Sequence, residues 1–134
     1  MTAGQSETVA LRSRDDVVLA RQKVREWATR LGFSLVDQTR LVTATSELAR
    51  NAVEHGRGGR MLIESVTDGS DEGLRVTFED KGPGIPDVNV AQRDGYSTGT
   101  GLGLGLGGAK RLSHRFEIES EPGKGTRVTI IRWK

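Results

Sequence analysis

"TSELARNAVEHGRGGRMLIESV", residues 45–66, changes its hydrophobic period partway along. Up to His55 the apolar residues fall three or four apart, with Leu48 and Ala52 continuing a stripe begun at Leu41 and Ala44, as one face of a helix requires. Ser34 followed by Asp37 is a capping-box pattern at the start of that helix. Gly56, Gly58 and Gly59 stop it. From Arg60 to Val66 the period becomes two, and Leu74, Val76 and Phe78 then alternate with Arg75, Thr77 and Glu79. Joined across Asp68 to Gly73, the two runs predict a β-hairpin.

Working outward, Val17, Ala20, Val24, Trp27, Ala28 and Leu31 recur at helical spacing from Asp15 up to Gly32, which predicts an earlier helix with Trp27 in the core. Val9 and Leu11 alternate with Ala10 and Arg12, a short strand over Thr8 to Ser13. Downstream, "DKGPGIP" at 80–86 is a breaker-rich loop, and a third helix is expected to begin within or just after the glycines of 99–108 and run to about His114. Phe116 and Ile118, then Val128 and Ile130, form a second hairpin across "EPGKGT", with Trp133 packing at the end of its last strand. The order strand, two helices, hairpin, helix, hairpin gives an α+β fold. The expected architecture is a two-layer sandwich, a mainly antiparallel mixed sheet with about three helices on one face, in one domain over 1–134.

Composition narrows the function classes. The 134 residues carry 20 Lys and Arg against 18 Asp and Glu, and the basic residues are scattered, which argues against a nucleic-acid binder. No cysteine is present, which excludes a disulfide framework and a thiolate metal site. The start lacks a signal-peptide pattern and no eighteen apolar residues run together, so the expectation is a cytoplasmic protein with no membrane span.

Three stretches could carry chemistry. Glu47, Asn51 and His55 stand at i, i+4 and i+8, near one line on the second helix and away from its apolar stripe. A carboxylate and an amide oxygen suit magnesium, and a carboxylate also suits a general base, although a solvated polar face carries such triplets too. "DKGPG" ends a strand with Asp80, able to accept a hydrogen bond from an exocyclic amine, while Gly82 and Gly84 would let a flat ring approach; a tight turn is the plainer alternative. "DGYSTGTGLGLGLGGAKRL" holds six glycines between Gly99 and Gly108 and leads straight into helical spacing, which makes it a phosphate-cradling candidate and not a linker. It is not a Walker A loop, and the G-x-G-x-x-G match at Gly103, Gly105 and Gly108 lacks the preceding strand a dinucleotide fingerprint needs.

In chain order, E-x-x-x-N on a helix, D-x-G-x-G, a glycine-rich stretch with G-x-G-x-G and a late G-x-G-T resemble the four nucleotide-binding boxes of the GHKL ATPase superfamily. "SELARNAVEHG", "EDKGPGIPDV" and "GKGT" are similar to the RsbT-like serine/threonine kinases of bacterial partner-switching and stressosome modules. The resemblance covers roughly Thr8 to Trp133. It implies a Bergerat-type fold binding ATP and Mg2+, with Glu47 as general base and Asn51 as metal ligand. Asp80 would read the adenine amino group with Gly82 and Gly84 at the ring and Thr126 supporting that end. Gly99, Thr100, Gly101, Leu102, Gly103, Leu104 and Gly105 would wrap the phosphates, with His55 close to them. The implied partners are STAS-domain antagonist and scaffold proteins and a PP2C-type phosphatase. The alternatives are an anti-sigma kinase that holds a sigma factor directly, and a nucleotide-gated interaction protein with little transfer.

Overall fold

The computed structural model describes residues 1–84 and 106–134. Its elements are β1 (Thr2–Leu11), α1 (Arg14–Arg30), α2 (Leu35–Glu54), β2 (Gly59–Asp68), β3 (Asp71–Asp80), α3 (Leu106–Arg111), β4 (Arg115–Glu121) and β5 (Gly125–Trp133). The strands form one sheet in the order β1-β2-β3-β5-β4. Every pairing among them is antiparallel, so the expectation of a mixed sheet does not hold for the described strands. The reason is visible at β1: the chain leaves Leu11, runs out along α1 and back along α2, and enters β2 at Gly59, which is the partner of Leu11. An even number of helices returns the chain to the end it left.

Period two sorts each strand. Met61 and Ile63 on β2, Leu74, Val76 and Phe78 on β3, and Val128 and Ile130 on β5 are buried against the helices. The intervening residues form an ion-paired outer face, with Arg60, Glu79, Arg127 and Glu119 in one row across β2, β3, β5 and β4. The helix layer contributes Val24, Trp27 and Ala28 from α1 and Leu41, Ala44, Leu48 and Ala52 from α2. Ser34 caps α2 by accepting from the Asp37 amide at 3.2 Å.

Two boundaries differ from the sequence reading. The first strand begins at Thr2, not Thr8: its early residues are exposed and polar, and an edge strand is held by its ladder with β2 and by the Gln5 amide donating to Ser65 Oγ at 3.0 Å. The third helix, described from Leu106, stops at Arg111, three residues before His114. Its end is set by Ser113, whose hydroxyl donates to the Ala109 carbonyl at 2.8 Å, and by His114, already bonded to β5 through its amide and the Ile131 carbonyl.

One ion pair joins distant parts. Arg132 of β5 is only 9% exposed; its Nη2 lies 2.8 Å from Asp37 Oδ1 and its Nη1 donates to the Leu112 carbonyl at 2.8 Å. The Arg132 guanidinium beside it holds the Asp37 carboxyl below the usual carboxylate range. A carboxyl lowered in this way stabilises the fold above the ordinary carboxylate range, and the contribution is lost as pH falls through the lowered value. Asp37→Asn is therefore expected to cost about 1–3 kcal/mol at neutral pH. In urea denaturation across pH, its difference from the unsubstituted protein should shrink on acidification.

Candidate nucleotide site

Asp80 is the last residue of β3 and has the same parity as Leu74, Val76 and Phe78, so the row that builds the core also turns its carboxylate toward the helices. There it meets the C-terminal end of α2. Leu48, Asn51, Ala52, His55 and Gly56 form one wall of a pocket; Phe78, Asp80, Thr126 and Val128 form its sheet side, and Gly84 and Leu106 complete it. Leu48 and Ala52 belong to the apolar stripe of α2. The stripe and the polar line that the sequence reading kept apart therefore meet inside the pocket.

Within it, Asp80 Oδ1 accepts from the Gly82 amide at 3.0 Å, and the carboxylate also takes a backbone hydrogen bond from Thr126, its ladder partner. Burial pushes the Asp80 carboxyl up, and the two backbone donors oppose that rise. The Thr126 hydroxyl lies 2.8 Å from Ser120 Oγ across the β4–β5 pair. Ser120 is thus a supporting residue that sequence reasoning missed. Its only signal was an alternation in β4 that puts it on the same face as Thr126.

Gly82 has a different place from the one expected. A Cβ on it would fall 2.6 Å from the Gly56 Cα, and one on Gly56 would collide with the Asp80 carboxylate, so these glycines are required by protein packing around Asp80. Gly82 does not line the pocket. Gly84 does, with φ of 78°, and a side chain there would run into the Glu121 carbonyl.

The structure brings Asn51, His55, Asp80, Gly84 and Thr126 together. Glu47 stands one turn before Asn51 on α2, half-buried and outside the pocket lining, with Oε1 3.5 Å from Arg50 Nη1. Arg50 is exposed and reaches back to Glu47. Gly99, Thr100, Gly101, Leu102, Gly103, Leu104 and Gly105 lie outside the described residues. No three His, Asp or Glu side chains converge as a metal cluster among the described residues. A cation held mainly by phosphate oxygens and water needs only one or two protein oxygens, and the Asn51 amide fits that demand.

Residues 36–134 match the family described as histidine kinase-, DNA gyrase B-, and HSP90-like ATPase. The chain belongs to that family. It is 46% identical over 118 residues to the serine/threonine-protein kinase RsbT of Bacillus subtilis (strain 168), a match covering 88% of this chain and 89% of that protein. Within the family it is therefore an RsbT-like serine/threonine-protein kinase. It is also 27% identical over 124 residues to the anti-sigma F factor of Pasteuria penetrans, covering 88% and 83% of the two chains. Among solved structures, the crystal structure of the RsbU and RsbW domains of a Mycobacterium tuberculosis protein matches 98% of this chain with a TM-score of 0.65 at 21% identity. This chain spans 33% of that longer one, and the likeness is one of fold.

An acid whose pKa is raised by folding holds its proton more tightly in the native state than in the unfolded chain. Its contribution is complete below the ordinary carboxylate range and is lost as pH rises from that range through the raised value. Asp80→Asn cannot ionise. Urea unfolding between about pH 3 and about pH 8 is expected to show that limb of the stability curve flattened in the variant, a difference absent if Asp80 is as solvated as a surface carboxylate.

Proposed function

We propose that this kinase transfers the γ-phosphoryl group of ATP to a serine or threonine hydroxyl on a STAS-domain antagonist or scaffold protein. The observation that carries the reading is the Asp80 carboxylate, fixed by backbone donors on the floor of an apolar pocket and faced by Asn51 and His55. A half-buried acceptor next to flat apolar walls suits a purine with an exocyclic amine. Phe78, Val128, Leu48 and Ala52 would cover the ring faces, and the open side would lead the phosphates toward Asn51 and His55.

Asn51 would hold Mg2+ through its amide oxygen, and the bound ion would supply charge neutralisation on the phosphate oxygens. Glu47 lies one helical turn from Asn51, where an acceptor hydroxyl approaching the γ-phosphorus would come within its reach. In that in-line step the hydroxyl oxygen forms the new bond to phosphorus, the bond to the β-bridging oxygen breaks and ADP leaves, and the hydroxyl proton passes to Glu47. The contact of Glu47 with Arg50 is long and exposed, and so restrains the carboxylate only loosely. The glycine-rich residues 99–105 would supply backbone amides to the phosphates by family resemblance.

Similarity to RsbT and to an anti-sigma F factor supports a place in sigma-factor regulation by partner switching, with a PP2C-type phosphatase as the downstream partner. A cytoplasmic protein of one domain over 1–134 fits that role. Among the described residues no helix is long and apolar enough to cross a membrane.

Two substitutions separate binding from transfer. Asp80→Asn is expected to weaken ATP binding by calorimetry about ten- to hundredfold, the cost of one charge-assisted hydrogen bond. Glu47→Ala should leave that affinity nearly unchanged while labelled phosphate transfer to a STAS partner falls about 10²–10⁴-fold. Full transfer by Glu47→Ala would remove Glu47 as the base, and unaltered binding by Asp80→Asn would remove the purine assignment.

A further inference from the structure

The pocket lies at one end of the fold, and Arg132 lies at the other. On β5, Thr126, Val128, Ile130 and Arg132 share the helix-facing row, which puts Arg132 about 20 Å from the pocket residue Thr126 along the strand. On α2, Asp37 precedes Asn51 by fourteen residues, a similar distance of about 21 Å. Helix and strand therefore run past each other, joined by the Asp37–Arg132 pair at one end and separated by the pocket at the other.

The third element of the pocket is tied to the same guanidinium. The described part of α3 is Leu106–Arg111, and Leu106, 2% exposed, lines the pocket. Its C-terminal end is pinned where Arg132 Nη1 donates to the Leu112 carbonyl, one of the carbonyls a helix leaves without an internal partner. The planar fork of an arginine can serve both partners at once, Asp37 through Nε and Nη2 and Leu112 through Nη1, as the point charge of a lysine cannot.

We infer that Arg132 is a positioning residue for the nucleotide pocket: from the far end of the sheet it fixes α2 and α3 against β5, and with them the placement of Asn51 and Leu106 relative to Thr126 and Asp80. The inference rests on the pocket's assignment to ATP, and it makes Arg132 different from a residue that only adds stability. A fixed far end sets the angle between α2 and the sheet; a small rotation there becomes a shift at Asn51 and Leu106, because the arms are long and packed along their length.

The test compares nucleotide affinity with stability in the full chain. MgATP binding is measured by calorimetry well below each variant's unfolding midpoint for the unsubstituted protein, Arg132→Lys, Arg132→Met and Asp37→Asn. Arg132→Met is expected to weaken MgATP binding about tenfold or more, and Arg132→Lys, which keeps the charge but serves only one partner, to restore part of it. Asp37→Asn, which keeps the bond to Leu112, should change affinity less than Arg132→Met. If Arg132→Met lowers only the midpoint and binds MgATP as tightly as the unsubstituted protein, Arg132 is structural and the inference fails. Should Arg132→Met not fold, Arg132→Lys decides, and unaltered affinity in it overturns the inference. Absence of MgATP binding in the unsubstituted protein would instead overturn the pocket's assignment.

Discussion

Half-burying a carboxylate at the end of an apolar strand row is the constraint around which this fold is arranged. Asp80 has the parity of Leu74, Val76 and Phe78, so the alternation that builds the core also draws a charged group partly out of water. Two backbone amides offset part of that cost, and partial burial still leaves its pKa raised. The site can keep such a group because its surroundings have almost no room to relax. Gly56 and Gly82 press backbone against it, and no side chain is present there to push it aside. A ligand that donates to the carboxylate supplies what the fold itself leaves incomplete.

That end of the molecule depends on the other. The helix-facing rows of β3 and β5 and the apolar stripe of α2 make a wedge whose closed end is the Asp37–Arg132 pair and whose open end is the pocket. Leu106 closes one side, from a helix followed by the Leu112 carbonyl that the same arginine holds. Kinase chemistry by positioning and charge neutralisation asks for little more from a protein than groups held in place, so a fold that fixes three elements at one point is well matched to it. The row of ion pairs on the opposite face of the sheet leaves the core and the site together on the helix side.

Much of this was legible from periodicity. The switch from period 3.6 to period two between His55 and Arg60 located α2 and the first hairpin, and the Ser34 cap was readable because Asp37 follows at the right distance. Local patterns reach only a few residues, however, and what they missed is non-local. The polar start of β1 is a strand because β2 lies beside it, and α3 stops at Arg111 because β5 captures His114. Asp37 and Arg132 are 95 residues apart, and no spacing rule connects them. At the site, the order of the motifs named Asn51, His55, Asp80, Gly84 and Thr126, which the fold assembles. It could not show that Gly82 serves packing behind Asp80, that Ser120 supports Thr126, or that Arg50 turns back to Glu47.

If the Asp80 carboxylate reads a purine through an exocyclic amine, the protein must discriminate between nucleotides that differ at that edge of the ring. The most direct measurement is therefore the affinity of the unsubstituted protein for ATP and for ITP, which carries an oxygen in place of that amine, under identical magnesium and salt. ATP should bind at least about tenfold more tightly, since ITP would set its carbonyl oxygen, an acceptor, against the half-buried acceptor of Asp80. Equal affinities would mean that Asp80 does not contact the base, and the site would have to be assigned anew.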